Sequence, residues 1–75
     1  MNSYSVSKNI KILNTIRNNK LMSKYEKLVI DDTICLLAIN REEDERNILS
    51  KLNKITIHNS YVNMLNEVYL SLNIN

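Results

Sequence analysis

The side chains able to do covalent chemistry are few and isolated in this sequence. The only histidine, His58, has no cysteine or second histidine at metal-ligand spacing. The only cysteine, Cys35, stands in an apolar run, where a free cysteine usually behaves as a small buried hydrophobic residue. We therefore predict that both residues are structural, that the chain has no catalytic residue and that it is not an enzyme.

Carboxylates cluster at Asp31 and Asp32 and again in residues 42–45. Such clusters can bind divalent cations, but an EF-hand loop also needs a glycine at its turn, and the chain contains no glycine. Walker and Rossmann phosphate-binding loops need glycines as well. Capping of a helix start explains the acidic run of residues 42–45, so we expect no metal, no cofactor and no small-molecule substrate.

Basic residues offer a different chemistry, the neutralisation of phosphates. Their spacing of i, i+3, i+7 and i+10 would form one stripe along an uninterrupted helix. These residues are Arg17, Lys20, Lys24 and Lys27. They support the alternative function, a small DNA- or RNA-binding regulator that uses a basic N-terminal helical segment. However, the apolar residues before Asn18, such as Leu13, and those after Lys20, such as Met22, fall on opposite sides of a helical wheel. This predicts a break in the chain near Asn18 and Asn19, which would disrupt the basic stripe.

A third set of residues could bind another protein. A domain of 75 residues buries only about 60–65% of the surface that its unfolded chain exposes, so some apolar side chains are expected to remain uncovered. Methionine adapts to irregular partners, and tyrosine is enriched at interfaces. Ordinary core packing is the alternative explanation for any one of these residues. The candidates for a protein partner are Leu21, Met22, Tyr25, Tyr61, Met64 and Tyr69.

Charge is unevenly distributed along the chain, although the net charge is only +2. Residues 1–27 are net basic and residues 28–50 are net acidic. This layout suits antiparallel helices that neutralise one another, head-to-tail self-association, or a basic face that meets an acidic partner. Together with the uncovered apolar residues, this layout favours one interpretation. The chain is expected to be a small intracellular regulatory or inhibitory protein that binds another protein or a second copy of itself as a homodimer.

The elements that position these residues are predicted to be helices. The chain has neither glycine nor proline, and most tight turns and hairpins depend on one of them. We predict an all-α fold of three to four short amphipathic helices, roughly 7–19, 21–39, 41–55 and 59–72, in a small antiparallel bundle. Dimerisation could complete its core. Residues 1–75 form one domain, with 1–6 and 73–75 frayed.

Local signals set the expected boundaries. Ser5 or Ser7 is the candidate N-cap of the first helix, and Asn40 with Glu43 resembles a capping box. The Asp31 and Asp32 pair either caps a new helix or lies within a continuous one. Alternation of apolar residues in segments 55–58 and 69–74 keeps two short strands open as an alternative.

The same composition bears on location and origin. No apolar run is long enough for a membrane helix, and the N-terminus does not resemble a signal peptide. A single cysteine suits a reducing compartment, so we expect a cytoplasmic protein with no membrane contact. The abundance of Asn, Ile and Lys is also typical of AT-rich phage, viral or mobile-element genomes.

Overall fold

Four α-helices make up the part of the chain that the computed structural model describes, residues 1–55 and 61–72. A short 3₁₀ helix, Glu42–Asp44, leads into the third. Within the described residues there is no strand, so the predicted all-α fold, a small antiparallel bundle, is confirmed. The α-helices are α1 (Ser3–Arg17), α2 (Lys24–Ile39), α3 (Glu45–Leu52) and α4 (Val62–Ser71).

Helix α1 begins earlier than the sequence suggested. Asn2 is its N-cap, and the Asn2 Oδ1 accepts a hydrogen bond of 2.8 Å from the backbone N–H of Ser5. The prediction of Ser5 or Ser7 as N-cap is therefore wrong, because both residues lie inside the helix. Residues 3–6, which we expected to be frayed, form its first turn, and residues 73–75 lie outside the described part.

The predicted break between the first two helices is confirmed. Asn18 caps the end of α1, and the Asn19 side chain accepts a hydrogen bond from the backbone N–H of Leu21. Ser23 then starts α2 through a capping box with Glu26, in which each side chain accepts from the other residue's backbone N–H. Two asparagines and one serine thus turn the chain without glycine or proline.

Asn40 ends α2 and does not start the next helix. Its backbone is left-handed, with φ 56° and ψ 50°, and its N–H donates to the carbonyl of Leu36. The predicted capping box of Asn40 with Glu43 is therefore wrong. Asparagine tolerates this conformation better than other residues with a Cβ, so Asn40 fills the helix-ending position that glycine usually occupies.

Helix α2 is continuous through its acidic pair, which resolves the alternative left open by the sequence. Asp31 and Asp32 lie in mid-helix, and the buried Thr33 hydroxyl donates to the carbonyl of Val29. The hydroxyl is thereby satisfied within its own helix, so Thr33 can face the core at little energetic cost.

The core lies where α1 packs against α2 and α4 and where α2 packs against α3. Each helix contributes an apolar stripe, as an amphipathic helix in a small bundle must. The fully buried apolar side chains of the core are Leu13, Ile16, Ile30, Leu37, Ile48, Leu52 and Val68.

A buried polar cluster ties the start of the chain to the other helices. The Met1 ammonium lies 3.7 Å from the Glu45 carboxylate, and both groups are almost completely buried. The buried Asn9 amide donates to the Met1 sulfur, and the Asn40 amide donates to the Met1 carbonyl. These contacts hold the first residue against the ends of two helices.

The strand alternative is tested only in part. Tyr69 and Leu70 lie in α4, so a strand that begins at residue 69 is wrong. Ile55 is buried after the end of α3. Residues 56–58 and 73–74 lie outside the described part.

Candidate protein-interaction face

Helix α2 has apolar side chains on its solvent side as well as on its core side. The outward residues recur at alternating spacings of three and four, which places them within an arc of about 80° on the helix surface. We call them the α2 stripe, and they are Tyr25, Leu28, Asp32, Cys35 and Ile39, all exposed.

The α2 stripe exposes large apolar groups. Tyr25 is 60% exposed, Leu28 is 58% exposed and Ile39 is 57% exposed. Leu21 is 71% exposed as well and stands in the corner two residues before the N-cap of α2. One exposed leucine is ordinary on a protein surface, but several at helical spacing on one face resemble an interaction surface.

Charged residues surround the α2 stripe. Lys24, the first residue of α2, is exposed next to Tyr25. Asp31 flanks the stripe in mid-helix, where the Arg17 guanidinium donates two hydrogen bonds to it, of 2.6 Å and 3.1 Å. Asp32, which belongs to the stripe itself, lies 3.8 Å from the Lys51 ammonium. The stripe thus combines apolar side chains with one carboxylate, and Lys24 and Asp31 give it the polar rim that is usual at an interface.

The structure supports the exposure of two of the six residues predicted to bind a protein. Leu21 and Tyr25 are exposed, but Met22 is buried at 7% exposure, so the expectation that it would be uncovered is wrong. Met22 belongs to the same buried apolar cluster as Ile16 and Ile30. Its proposed contact with a partner stays a prediction.

The three candidates from the last helix are partly covered. Tyr61, Met64 and Tyr69 are half-buried and pack against the core. The exposed apolar residues of that helix are Val62 and Leu70 instead. Contact of the three α4 candidates with a partner also stays a prediction.

Sequence reasoning missed most of the α2 stripe. It expected Cys35 to be buried together with the apolar run that surrounds it. Leu37 is fully buried, but Cys35 and Ile39 are exposed. The alternating spacing of three and four residues from Tyr25 to Ile39 was a signal in the sequence for this outward stripe. The outward stripe is distinct from the stripe of α2 that faces the core.

The basic residues proposed for nucleic acid do not form the continuous stripe that their spacing required. Arg17 ends α1 and Lys24 begins α2, while Lys20 lies in the corner between them. The Arg17 guanidinium donates hydrogen bonds to the Asp31 carboxylate. These hydrogen bonds, together with the attraction of the negative charge, raise the pKa of Arg17 above its ordinary value. Lys27 is half-buried on α2.

The remaining chemical candidates are the histidine and the possible metal ligands. His58 lies outside the described residues. In residues 1–55 and 61–72, no group of three or more His, Cys, Asp and Glu side chains could hold a metal ion. No helix in this same part of the chain is both long and apolar enough to cross a bilayer.

Comparison with known proteins adds nothing to this geometry. No protein-family model, curated protein or solved structure matches the chain.

Proposed function

We propose that this protein is a small interaction module that acts by binding another protein, in a regulatory or inhibitory role, through the α2 stripe. The observation that carries the proposal is the exposure of Tyr25, Leu28 and Ile39 on one face of a helix whose opposite face already fills the core. A helix of a monomer needs one apolar face, so the second is available to a partner.

The bundle supports such a role because it makes the face rigid. The capping box at Ser23 fixes the start of α2, and the Arg17–Asp31 hydrogen bonds tie its middle to α1. Binding of a partner then costs less conformational entropy, because the surface of α2 is already ordered. The exposed free thiol of Cys35 suits a reducing compartment, and we propose a cytoplasmic location on that ground.

Affinity capture with matched variants tests this function. The bait is the whole chain, and capture is carried out from lysate with and without nuclease treatment. The double substitution Y25K and L28K places two charges on the α2 stripe, and L70K is the control because Leu70 is 85% exposed on α4. Both changes affect exposed positions, so each substitution is expected to alter stability by no more than about 0.5 kcal/mol.

We expect wild type and L70K to recover the same protein partner and the double variant to lose at least about nine-tenths of it. A partner retained equally by all three would overturn the role of the α2 stripe. Recovery that disappears with nuclease treatment would instead support nucleic-acid binding through Arg17, Lys20, Lys24 and Lys27.

A further inference from the structure

We infer that the α2 stripe also binds a second copy of this chain, with two α2 helices antiparallel about an axis near Leu28. The inference deepens the proposed function, since it assigns one occupant to the same surface. It rests on how charge is arranged beside the exposed apolar residues, and that arrangement distinguishes one pairing of two copies from the others.

Opposite charges stand on either side of Leu28 in the N-terminal half of α2. Lys24 is exposed at the N-terminal end, and Asp31 and Asp32 lie seven and eight residues further along the same helix. Leu28 stands halfway between Lys24 and Asp32 and is exposed. A surface with a cation, an apolar centre and an anion in a row is complementary to itself after a two-fold rotation.

The antiparallel pairing follows from that symmetry. With the axis near Leu28, Lys24 of each copy lies beside Asp32 of the other, so two attractive contacts form. Tyr25 of each copy then packs near Leu28 of the other. The charged contacts and the contacts of Tyr25 and Leu28 form in the same register, and Ile39 lies beyond the overlap of the two helices.

Other pairings bring like charges together. A parallel arrangement in register sets Lys24 against Lys24 and Asp32 against Asp32. An antiparallel arrangement centred on Asp32 overlaps the two helices more fully, but it again places the two Asp32 carboxylates opposite each other. Like charges in direct opposition are unfavourable at an interface, so the register centred near Leu28 is the one that the charges support.

The first test is a charge exchange followed by sedimentation over a range of protein concentrations. K24E alone places two carboxylates at each contact, and D32K alone places two ammonium groups there. Each variant is expected to self-associate at least about tenfold more weakly than wild type. In a mixed dimer of K24E with D32K, each of the two contacts joins a carboxylate to an ammonium group, so the mixture is expected to associate more tightly than either variant alone.

The control separates association from fold. D32K also removes the contact of Asp32 with Lys51, and K51Q removes the same contact without altering the α2 stripe. K51Q is expected to associate like wild type. K24E places an acidic residue in the first turn of α2, which the helix dipole favours, so its circular dichroism is expected to remain that of the wild type.

Oxidative cross-linking checks the register independently. In the proposed dimer the two Cys35 residues are 14 positions apart in register, or about 20 Å along the helix axis, too far for a disulfide. Wild type should therefore yield no covalent dimer, whereas L28C should, through a disulfide between the two introduced thiols at the two-fold axis. A parallel dimer would instead cross-link in the wild type, through its two Cys35 residues.

The inference and the proposed function fail separately. A wild type that sediments as a monomer at every concentration, or a variant mixture that associates no better than either variant alone, overturns the dimer. Loss of a captured partner by the Y25K and L28K variant would still support the interaction module in that case. A dimer without any captured partner would leave self-association as the whole role of the α2 stripe.

Discussion

The Met1 ammonium and the Glu45 carboxylate lie 3.7 Å apart and are almost completely withdrawn from solvent. Glu45 is the first residue of α3, so this ion pair anchors the start of the chain at the N-terminal end of that helix. An acidic group at this end of a helix also interacts favourably with the helix dipole.

Replacement of Glu45 is expected to be among the most destabilising single changes in the chain. E45Q removes the carboxylate and leaves a buried ammonium without its charged partner, which in comparable buried pairs raises the free energy of the folded state by about 3–5 kcal/mol. Urea denaturation of E45Q and wild type measures the difference. E43Q is the control, because Glu43 is exposed and its loss should change stability by no more than about 0.5 kcal/mol. Equal effects of the two changes would contradict the structural role of the pair.

A second prediction concerns the left-handed residue at the end of α2. N40A places a Cβ without a polar group in the left-handed conformation, where the side chain of an ordinary residue is disfavoured by about 1–2 kcal/mol. It also removes the hydrogen bond from the Asn40 amide to the Met1 carbonyl. N40G removes the same hydrogen bond without the backbone penalty, so N40A should lower the free energy of unfolding more than N40G does. Thermal unfolding of the two variants checks the order, and the reverse order would show that the backbone conformation is not what selects asparagine here.

The fold class could be predicted from composition and periodicity because both depend on local physics. A chain without glycine and proline favours helices, and the opposing apolar stripes of Leu13 and Met22 required a turn between them. The turn was predicted at Asn18 and Asn19, where α1 ends. These features depend on neighbours within a few residues, so the sequence alone is sufficient to indicate them.

The caps were harder to predict because the same residue types fit several positions. Ser23 followed by Glu26 has the spacing of a capping box, and so does Asn40 followed by Glu43. Only the first forms one. The packing of Met1 against Asn40 favours a left-handed end to α2 at this point, and such a contact between distant parts of the chain leaves no local pattern.

Prediction of the candidate site also required knowledge of contacts between distant parts of the chain. Helix α2 carries apolar residues nearly all round, so its sequence shows two stripes without indicating which one the other helices cover. Burial of Ile30 and Leu37 leaves Leu28 and Ile39 outside. The sequence identified both Tyr25 and Met22 as candidates. It could not indicate that Tyr25 is exposed whereas Met22, three positions earlier, is buried.

The last prediction concerns alkaline pH and Tyr69. Burial raises the pKa of the Tyr69 phenol above its ordinary value of 10.0, and its hydroxyl donates a hydrogen bond of 3.0 Å to the Asn53 side chain. The folded state therefore favours the protonated phenol more than the unfolded state does. Its contribution to stability is fully present below pH 10 and is lost as the pH rises through the higher folded-state pKa.

Urea denaturation at a series of pH values tests this contribution. Wild type should lose stability above pH 10 more steeply than Y69F, which has no ionisable group at this position. At neutral pH, Y69F should be less stable by about 0.5–1.5 kcal/mol through loss of the hydrogen bond. Y4F is the matched control, because Tyr4 is exposed and its replacement should leave the alkaline slope as in wild type. A Y69F slope identical to that of wild type would mean that ionisation of Tyr69 is not linked to unfolding.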